Sequence, residues 1–193
     1  MKTSLLTLSL LFLSSFTSYS QDYYHGLGVQ GNIAIFSSIG STEASSIPGI
    51  VYKATLVLTD GRGPNFAVSA YPFAGLNLNF NSQSGGSGSF GAELPILGEV
   101  YFGDADDACF FMGAGFSYAF MSYSDAWGGT SGSILGPQVG IGGQFEIAGR
   151  LLGLKAAYTL GVNRPEFVNS FTGETYRLKK NMFSGSIYYL LGQ

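Results

Sequence analysis

The sequence predicts an all-β protein: a closed antiparallel up-and-down transmembrane β-barrel of about eight strands, with short periplasmic turns and longer extracellular loops. Three observations lead to this prediction. Large apolar residues alternate with small or polar residues over stretches of about ten residues. The connections between these stretches are alternately long and short. Aromatic residues make up 15% of the chain and charged residues only 11%, which suits a protein whose outer wall meets lipid.

The first twenty residues have the organisation of a cleaved secretory signal peptide. An apolar stretch over residues 5–16 follows a positive charge, and Ser18 and Ser20 are the small residues expected before a cleavage site. The stretch is shorter than the roughly 20 apolar residues that a spanning helix needs. We therefore expect residues 1–20 to be a signal peptide and residues 21–193 to form one outer-membrane barrel domain.

Charge and cysteine content argue against several other classes of protein. Acidic residues outnumber basic residues, 12 to 9, whereas a nucleic-acid-binding protein needs a basic face. The single cysteine, Cys109, cannot form an internal disulfide and lies far from the N-terminus, where a lipid would be attached. Hydrophobic residues at 46% are incompatible with simple disorder. We expect no nucleic-acid partner and no cofactor.

Eight stretches carry the two-residue alternation, each with one large apolar face. In the first four, this face contains Leu27, Val29, Ile33 and Ile35; Ile50, Tyr52, Ala54 and Leu56; Ala74, Leu76, Leu78 and Phe80; and Leu94, Ile96, Val100 and Phe102. In the last four, it contains Phe110, Met112, Phe116 and Phe120; Val139, Ile141, Phe145 and Ile147; Leu152, Leu154, Tyr158 and Leu160; and Phe183, Ile187, Tyr189 and Leu191. The opposite faces are mostly Gly, Ser and Asn, which fits the interior of a narrow barrel.

The connections support the same architecture independently. The long ones cover residues 37–48, 81–89, 124–132 and 163–180, and the short ones cover 60–63, 103–107 and 148–150. Outer-membrane barrels have short periplasmic turns and longer outside loops, so every long connection falls outside if the N-terminus is periplasmic. Because backbone groups in lipid must pair within the protein, the sheet should close into a ring.

Three prolines fall within or beside the predicted strands. Proline cannot donate to a β-ladder, so it belongs at edges, strand ends or bulges. Pro72 and Pro95 should lie near each other across the third hairpin, and we expect a bulge or a strand end there. Pro137 raises the same question for the sixth strand.

Together these features resemble the small outer-membrane barrels of the OmpA/OmpX kind and, more closely, the PorT-like outer-membrane barrel domains of Bacteroidetes-type bacteria. The C-terminal strand matches the alternation that the barrel-assembly machinery recognises in such proteins, through Phe183, Ile187, Tyr189 and Leu191. Gln193 departs from the usual terminal aromatic residue. The resemblance implies insertion by that machinery into the outer membrane.

Motifs that could carry catalysis or metal binding are weak. Residues 26–31 fit GxGxxG, but no βαβ unit surrounds them, as nucleotide binding would require. The only histidine, His25, has no evident serine and carboxylate to form a catalytic set. The acidic turn at residues 104–107 lacks the order of a calcium loop. We therefore expect no catalytic residues, no cofactor-binding residues and no metal ligands.

Charged residues on the small-residue face predict a polar cluster inside the barrel. They are Lys53, Glu93, Glu99, Glu146 and Lys155. Each would cost several kcal/mol if it pointed into lipid at mid-membrane. Glu146 and Lys155 should be diagonal neighbours across a tight hairpin, within reach of a long side chain. Glu93 should meet Gln138, Asn77 or Asn79.

Three functions remain open at this point. The first is a monomeric structural or surface-binding barrel among outer-membrane lipids, with a lumen plugged by polar side chains and too narrow for a wide pore. The second is a lipid-modifying barrel enzyme, which would need His25 beside a serine and a carboxylate. The third is a soluble lipocalin-like carrier, whose large apolar residues would line the interior.

Overall fold

A computed structural model describes residues 22–38, 41–59, 64–79, 87–104, 107–125, 128–163, 166–168, 175–177 and 179–191. Several predicted features lie wholly or partly outside the described residues. They are the signal peptide at 1–20, the turn at 60–63, much of the connections 81–89 and 163–180, and the terminal Gln193.

The described secondary structure consists of β-strands. They are β1 (Tyr23–Ser38), β2 (Ser41–Val57), β3 (Asn65–Ala70), β4 (Phe73–Asn79), β5 (Ser87–Phe102), β6 (Cys109–Asp125), β7 (Gly128–Ile147), β8 (Arg150–Leu160), β9 (Glu166–Val168), β10 (Thr175–Arg177) and β11 (Lys179–Leu191). In the part of the chain that the structure describes, no helix is long and apolar enough to cross a membrane.

The strands close into an antiparallel ring. Around the ring, β1 pairs with β2, β2 with both β3 and β4, and both of these with β5. The order then continues from β5 to β6, β7, β8 and β11, and β11 pairs with β1. Because β3 and β4 lie end to end between β2 and β5, the nine strands of this sheet occupy eight strand positions around the barrel. β9 and β10 form a separate two-stranded hairpin. The predicted all-β, closed up-and-down barrel is confirmed. The predicted extents of the connections at 37–48 and 124–132 are wrong, because β1 and β2 pair as far as Ser38 and Ser41, and β6 and β7 pair as far as Asp125 and Gly128.

The third strand position around the barrel, occupied by β3 and β4, is interrupted at Pro72, but both strands keep the same register with β5. Tyr71 and Pro72 separate β3 from β4, while Ala70 and Phe73 face β5 residues that are also three positions apart. The backbone N–H of Tyr71 donates a 3.1 Å hydrogen bond to the carbonyl of Pro95. The predicted strand end is present, but no residue is inserted to form a bulge.

Pro95 and Pro137 lie inside continuous strands. Pro95 belongs to β5 and faces Ser117, and Pro137 belongs to β7 and faces Phe116. Each proline removes one N–H donor from its ladder. The β5–β6 and β6–β7 ladders continue past these prolines, so the neighbouring hydrogen bonds keep the register.

The facing of the strands follows the predicted alternation. The large apolar residues point away from the ring and are exposed, with Phe116 at 67%. The alternate positions point inward and are mostly buried. Two apolar clusters occupy the interior: one around Tyr71, Tyr101, Phe111 and Tyr188, and a smaller one including Ile47, Phe73, Ile134 and Met182. This arrangement contradicts the carrier alternative, in which the large apolar faces would line an open lumen.

Candidate functional site in the barrel interior

Glu99 of β5 is the centre of a buried hydrogen-bonded group. Its Oε1 accepts a hydrogen bond from the Tyr71 hydroxyl (2.6 Å), and its Oε2 accepts from Ser69 Oγ (2.5 Å) and the Tyr101 hydroxyl (2.7 Å). Three donors thus replace the water that the carboxylate loses on burial. We name Lys53, Ser69, Tyr71, Glu99 and Tyr101 the Glu99 group.

Lys53 supplies the cation of this group and lies among aromatic rings. Its Nζ donates to the hydroxyls of Tyr101 (2.9 Å) and Tyr188 (3.2 Å). The ring centroids of Phe111 and Tyr188 are each 4.8 Å from the ammonium, close enough for cation–π attraction. Because the Tyr101 hydroxyl accepts from Lys53 and donates to Glu99, it connects the cation to the anion.

Lys155 of β8 is a second buried cation in the interior. Its Nζ is 3.3 Å from the centroid of the Tyr71 ring. The hydroxyl of the same ring donates to Glu99. Lys155 therefore contacts the Glu99 group through Tyr71.

Glu93 is the centre of a second group, built from different chemistry. Its Oε2 accepts from the side-chain amides of Asn32 (2.8 Å) and Gln30 (3.1 Å), and its Oε1 accepts from Ser117 Oγ (2.8 Å) and the amide of Gln138 (2.9 Å). These donors come from β1, β6 and β7, so the carboxylate joins strands across the interior. We name Gln30, Asn32, Glu93, Ser117 and Gln138 the Glu93 group.

Gln138 is oriented by the need to donate. Its Nε2 donates to Glu93 and also to Thr159 Oγ1 at 2.8 Å. Its Oε1 is buried and has no hydrogen-bond partner in the described structure. An unsatisfied buried acceptor costs about 1–3 kcal/mol, so the amide gives up this acceptor to satisfy the carboxylate.

The structure brings four of the five predicted cluster residues into the interior but leaves Glu146 out. Lys53, Glu93, Glu99 and Lys155 are buried, whereas Glu146 is exposed at the end of β7. Lys155 faces Gly142, four residues before Glu146, which is about 13 Å along a strand. The predicted diagonal contact is therefore wrong, because alternation gives the face of a residue and not its depth.

Inward glycines accommodate the aromatic rings. Gly153 of β8 lies opposite Tyr188, and a Cβ at Gly153 would be 2.1 Å from that ring. Gly142 of β7 lies opposite Phe111, and a Cβ there would be 2.2 Å from its Cζ. In each pair the ring lies against bare backbone, which explains why the inner face needs glycine at these positions.

Sequence reasoning missed most hydroxyl members of the site. Ser69 and Tyr71 lie in a segment whose alternation Pro72 obscures. Ser117 and Tyr188 fall on predicted inner faces. Because a buried carboxylate requires hydrogen-bond donors, their hydroxyls could have indicated that they belong to the site. The expected Glu93–Gln138 contact is present, whereas the amide of Asn77 donates to the Ser46 carbonyl instead.

Two of the remaining candidate motifs, His25 and residues 26–31, belong to β1. The His25 ring lies between Tyr23, with centroids 5.8 Å apart, and Tyr52, with centroids 6.2 Å apart. Residues 26–31 lie within β1, not in a strand–helix turn. Among the described residues, no group of three or more His, Cys, Asp or Glu side chains could hold a metal ion.

A closed ring with an apolar exterior and a hydrogen-bonded polar interior defines the architecture of a small membrane-type β-barrel. Solved structures share it: Ail, the attachment invasion locus protein of Yersinia pestis, has a TM-score of 0.50 at 9% identity, over 88% of this chain and 99% of that one. Ail in complex with the heparin analogue sucrose octasulfate gives 0.52 at 10% identity with the same coverage. OprG, an outer membrane protein of Pseudomonas aeruginosa, gives 0.51 at 11% identity over 89% and 96%.

These similarities show the fold alone, which is that of small outer-membrane barrels. No protein-family model and no curated protein matches the chain.

Proposed function

We propose that the protein is an outer-membrane β-barrel with a structural or surface-binding role, exported by a signal peptide at residues 1–20. The observation that carries this proposal is the apolar outer wall, where exposed residues such as Val29, Ile50, Phe116 and Val139 extend around the ring. Soluble proteins rarely expose apolar surface on this scale. In lipid the same surface needs no partner protein.

The interior favours a barrel filled by its own side chains rather than one with a wide pore. An eight-stranded barrel encloses about the space that its own side chains fill. The Glu99 and Glu93 groups connect the walls across this space by hydrogen bonds. We propose that they plug the lumen, so the protein would act through its wall and outer loops rather than by passing large solutes.

A surface-binding role gains support from the solved structures. Ail is an attachment invasion locus protein and has been seen with a heparin analogue. The corresponding surface of this chain would be the outer ends of the β1–β2 and β6–β7 hairpins together with the connections at 81–89 and 163–180. Insertion by the barrel-assembly machinery is a further part of the proposal, supported by the alternation of β11. Membership of the PorT-like domains and a monomeric state are also proposed.

Membrane residence and barrel closure are tested together by fractionation and gel migration. The protein should remain in the outer-membrane fraction after a carbonate wash, and its unheated form should migrate differently from the heated form. Recovery as a soluble periplasmic protein would overturn the proposal.

Depth-dependent substitution tests whether the outer wall meets lipid. Phe110 and Phe116 lie on the same face of β6. Phe110 is the second residue of the strand, and Phe116 lies six residues further along. Arginine at a mid-membrane position should cost about 2–4 kcal/mol of unfolding free energy, falling to roughly 0–1 near an interface. Phe116→Arg should therefore cost more than Phe110→Arg, and equal costs would contradict a lipid-facing wall.

The orientation is tested on whole cells. Protease or a thiol-reactive probe, the latter with single cysteines introduced in Cys109→Ser protein, should reach the connections at 124–132 and 163–180. The turns at 60–64 and 103–107 should be protected, because short turns are periplasmic in such barrels. Labelling of the short turns from outside would reverse the orientation.

A further inference from the structure

The outer wall carries a polar and aromatic patch at the end of the barrel with the short turns. Its members alternate in phase with the exposed apolar residues, so they belong to the outward face of their strands. The patch consists of Tyr23, His25, Tyr52, Arg150 and Tyr189, and we name it the rim patch.

The sheet register makes the rim patch continuous across β8, β11, β1 and β2. Leu191 of β11 faces His25 of β1. Tyr189 faces Leu152 of β8, so Arg150 lies beside Leu191 in the same row. Arg150 and His25 therefore flank Leu191 across two strand spacings, about 10 Å.

Aromatic contacts hold the donors of the rim patch. The Tyr23 and Tyr52 hydroxyls are 3.2 Å apart, with the His25 ring packed between the two phenol rings. The guanidinium carbon of Arg150 is 5.9 Å from the centroid of the Tyr189 ring. This arrangement presents a guanidinium, an imidazole N–H and two hydroxyls on the outer wall.

The described acidic residues at this end lie away from the patch. Asp22 and Glu146 occupy positions in phase with inward residues of β1 and β7, and Asp104 and Asp107 lie in the turn between β5 and β6, which are not strands of the patch. The outward face of the rim patch therefore presents a cation without a carboxylate among its own members. That charge distribution is complementary to an anion.

We propose that the rim patch binds the phosphate of an anionic phospholipid in the periplasmic leaflet, an inference that rests on the proposed outer-membrane location. A guanidinium matches phosphate oxygens with two parallel hydrogen bonds, and an imidazole N–H can add a third donor. Tyrosines favour the headgroup level of a bilayer. The exposed apolar Leu27 and Leu191 lie beside the donors, which suits a lipid because its glycerol and acyl chains cover apolar wall that free phosphate would leave exposed.

Native mass spectrometry of the refolded barrel in micelles, titrated with phosphatidylglycerol or phosphatidylcholine, tests this proposal. Phosphatidylglycerol should bind more tightly, and Arg150→Gln should weaken its binding about fivefold, because a surface cation contributes about 1 kcal/mol to anionic-lipid binding. His25→Phe keeps the stacked ring and removes the donor, so it should weaken binding further in the double variant. Arg150→Lys should recover part of the loss.

Glu146→Gln is the matched control, because it changes a charge at the same end on the opposite face and should leave lipid binding unchanged. Unheated gel migration verifies that each variant is folded. Equal binding of the two lipids to folded wild type, or equal binding of glycerol phosphate and phosphatidylglycerol, would overturn the rim patch and leave the outer-membrane role standing. A wild type that is soluble in the periplasm would overturn both.

Discussion

Glu93 and Glu99 lie six residues apart on the inner face of β5, and the barrel buries them in different ways. Glu99 receives three hydroxyl hydrogen bonds and is linked to Lys53 through Tyr101. Glu93 receives three amide hydrogen bonds and one hydroxyl hydrogen bond. The comparison shows that one strand can bury a carboxylate beside an opposite charge or among neutral donors.

Removing the charge of Glu93 and removing the charge of Glu99 should destabilise the barrel for different reasons. Removing the charge of Glu99 leaves the buried ammonium of Lys53 without its linked anion, which is the costly half of breaking an ion pair. Removing the charge of Glu93 leaves amide and hydroxyl donors without an acceptor, and each unsatisfied donor costs less than an uncompensated charge. Substitutions at the two positions can separate these effects.

The largest expected effect comes from Glu99→Gln. The amide keeps the shape of the side chain but removes the anion that is linked to Lys53 through Tyr101. The free energy of unfolding should fall by about 3–5 kcal/mol. Equilibrium unfolding of the barrel in lipid vesicles by urea measures this change, and a loss below 1 kcal/mol would show that the charge is not what Glu99 contributes.

Glu93→Gln should cost less, about 1–3 kcal/mol. Its amide offers one acceptor oxygen where the carboxylate offers two, so two donors on one side face an NH2 group. The same unfolding measurement applies. A loss equal to or larger than that of Glu99→Gln would break the distinction between the two groups.

The charge pairing in the Glu99 group is tested by a double-mutant cycle of Lys53→Met and Glu99→Gln. The double variant should be more stable than the sum of the single losses implies, because neither charge is then left alone. The coupling should be about 0.5–3 kcal/mol. Strictly additive losses of unfolding free energy would show that the link between Lys53 and Glu99 through Tyr101 does not contribute to stability.

The smallest effect is expected from Glu146→Gln, within about 0.5 kcal/mol of wild type, as for other surface substitutions. A cycle of Glu146→Gln with Lys155→Met should show additivity, because Lys155 faces Gly142, which is four positions before Glu146 on β7. A coupling above 1 kcal/mol would mean that Glu146 reaches into the interior after all.

The sequence was sufficient for the ring and for the face of each charged residue. Period-two alternation determines which residues point inward, so Lys53, Glu93, Glu99 and Lys155 could be placed inside. Alternation carries no information on depth, which depends on register around the ring and on strand tilt; the exposed position of Glu146 shows this limit. Tyr71 could not be placed for another reason. The neighbouring Pro72 interrupts the alternation, although β3 and β4 keep the same register with β5.

The contact of Tyr188 with Gly153 has a consequence for how this chain can change over generations. The ring occupies the volume that any side chain at position 153 would need. Enlarging one residue requires shrinking its partner, so the two positions are one unit of selection although 35 positions separate them along the chain. Related barrels that have lost the glycine should also have lost the tyrosine, and with it one hydroxyl that holds the buried lysine.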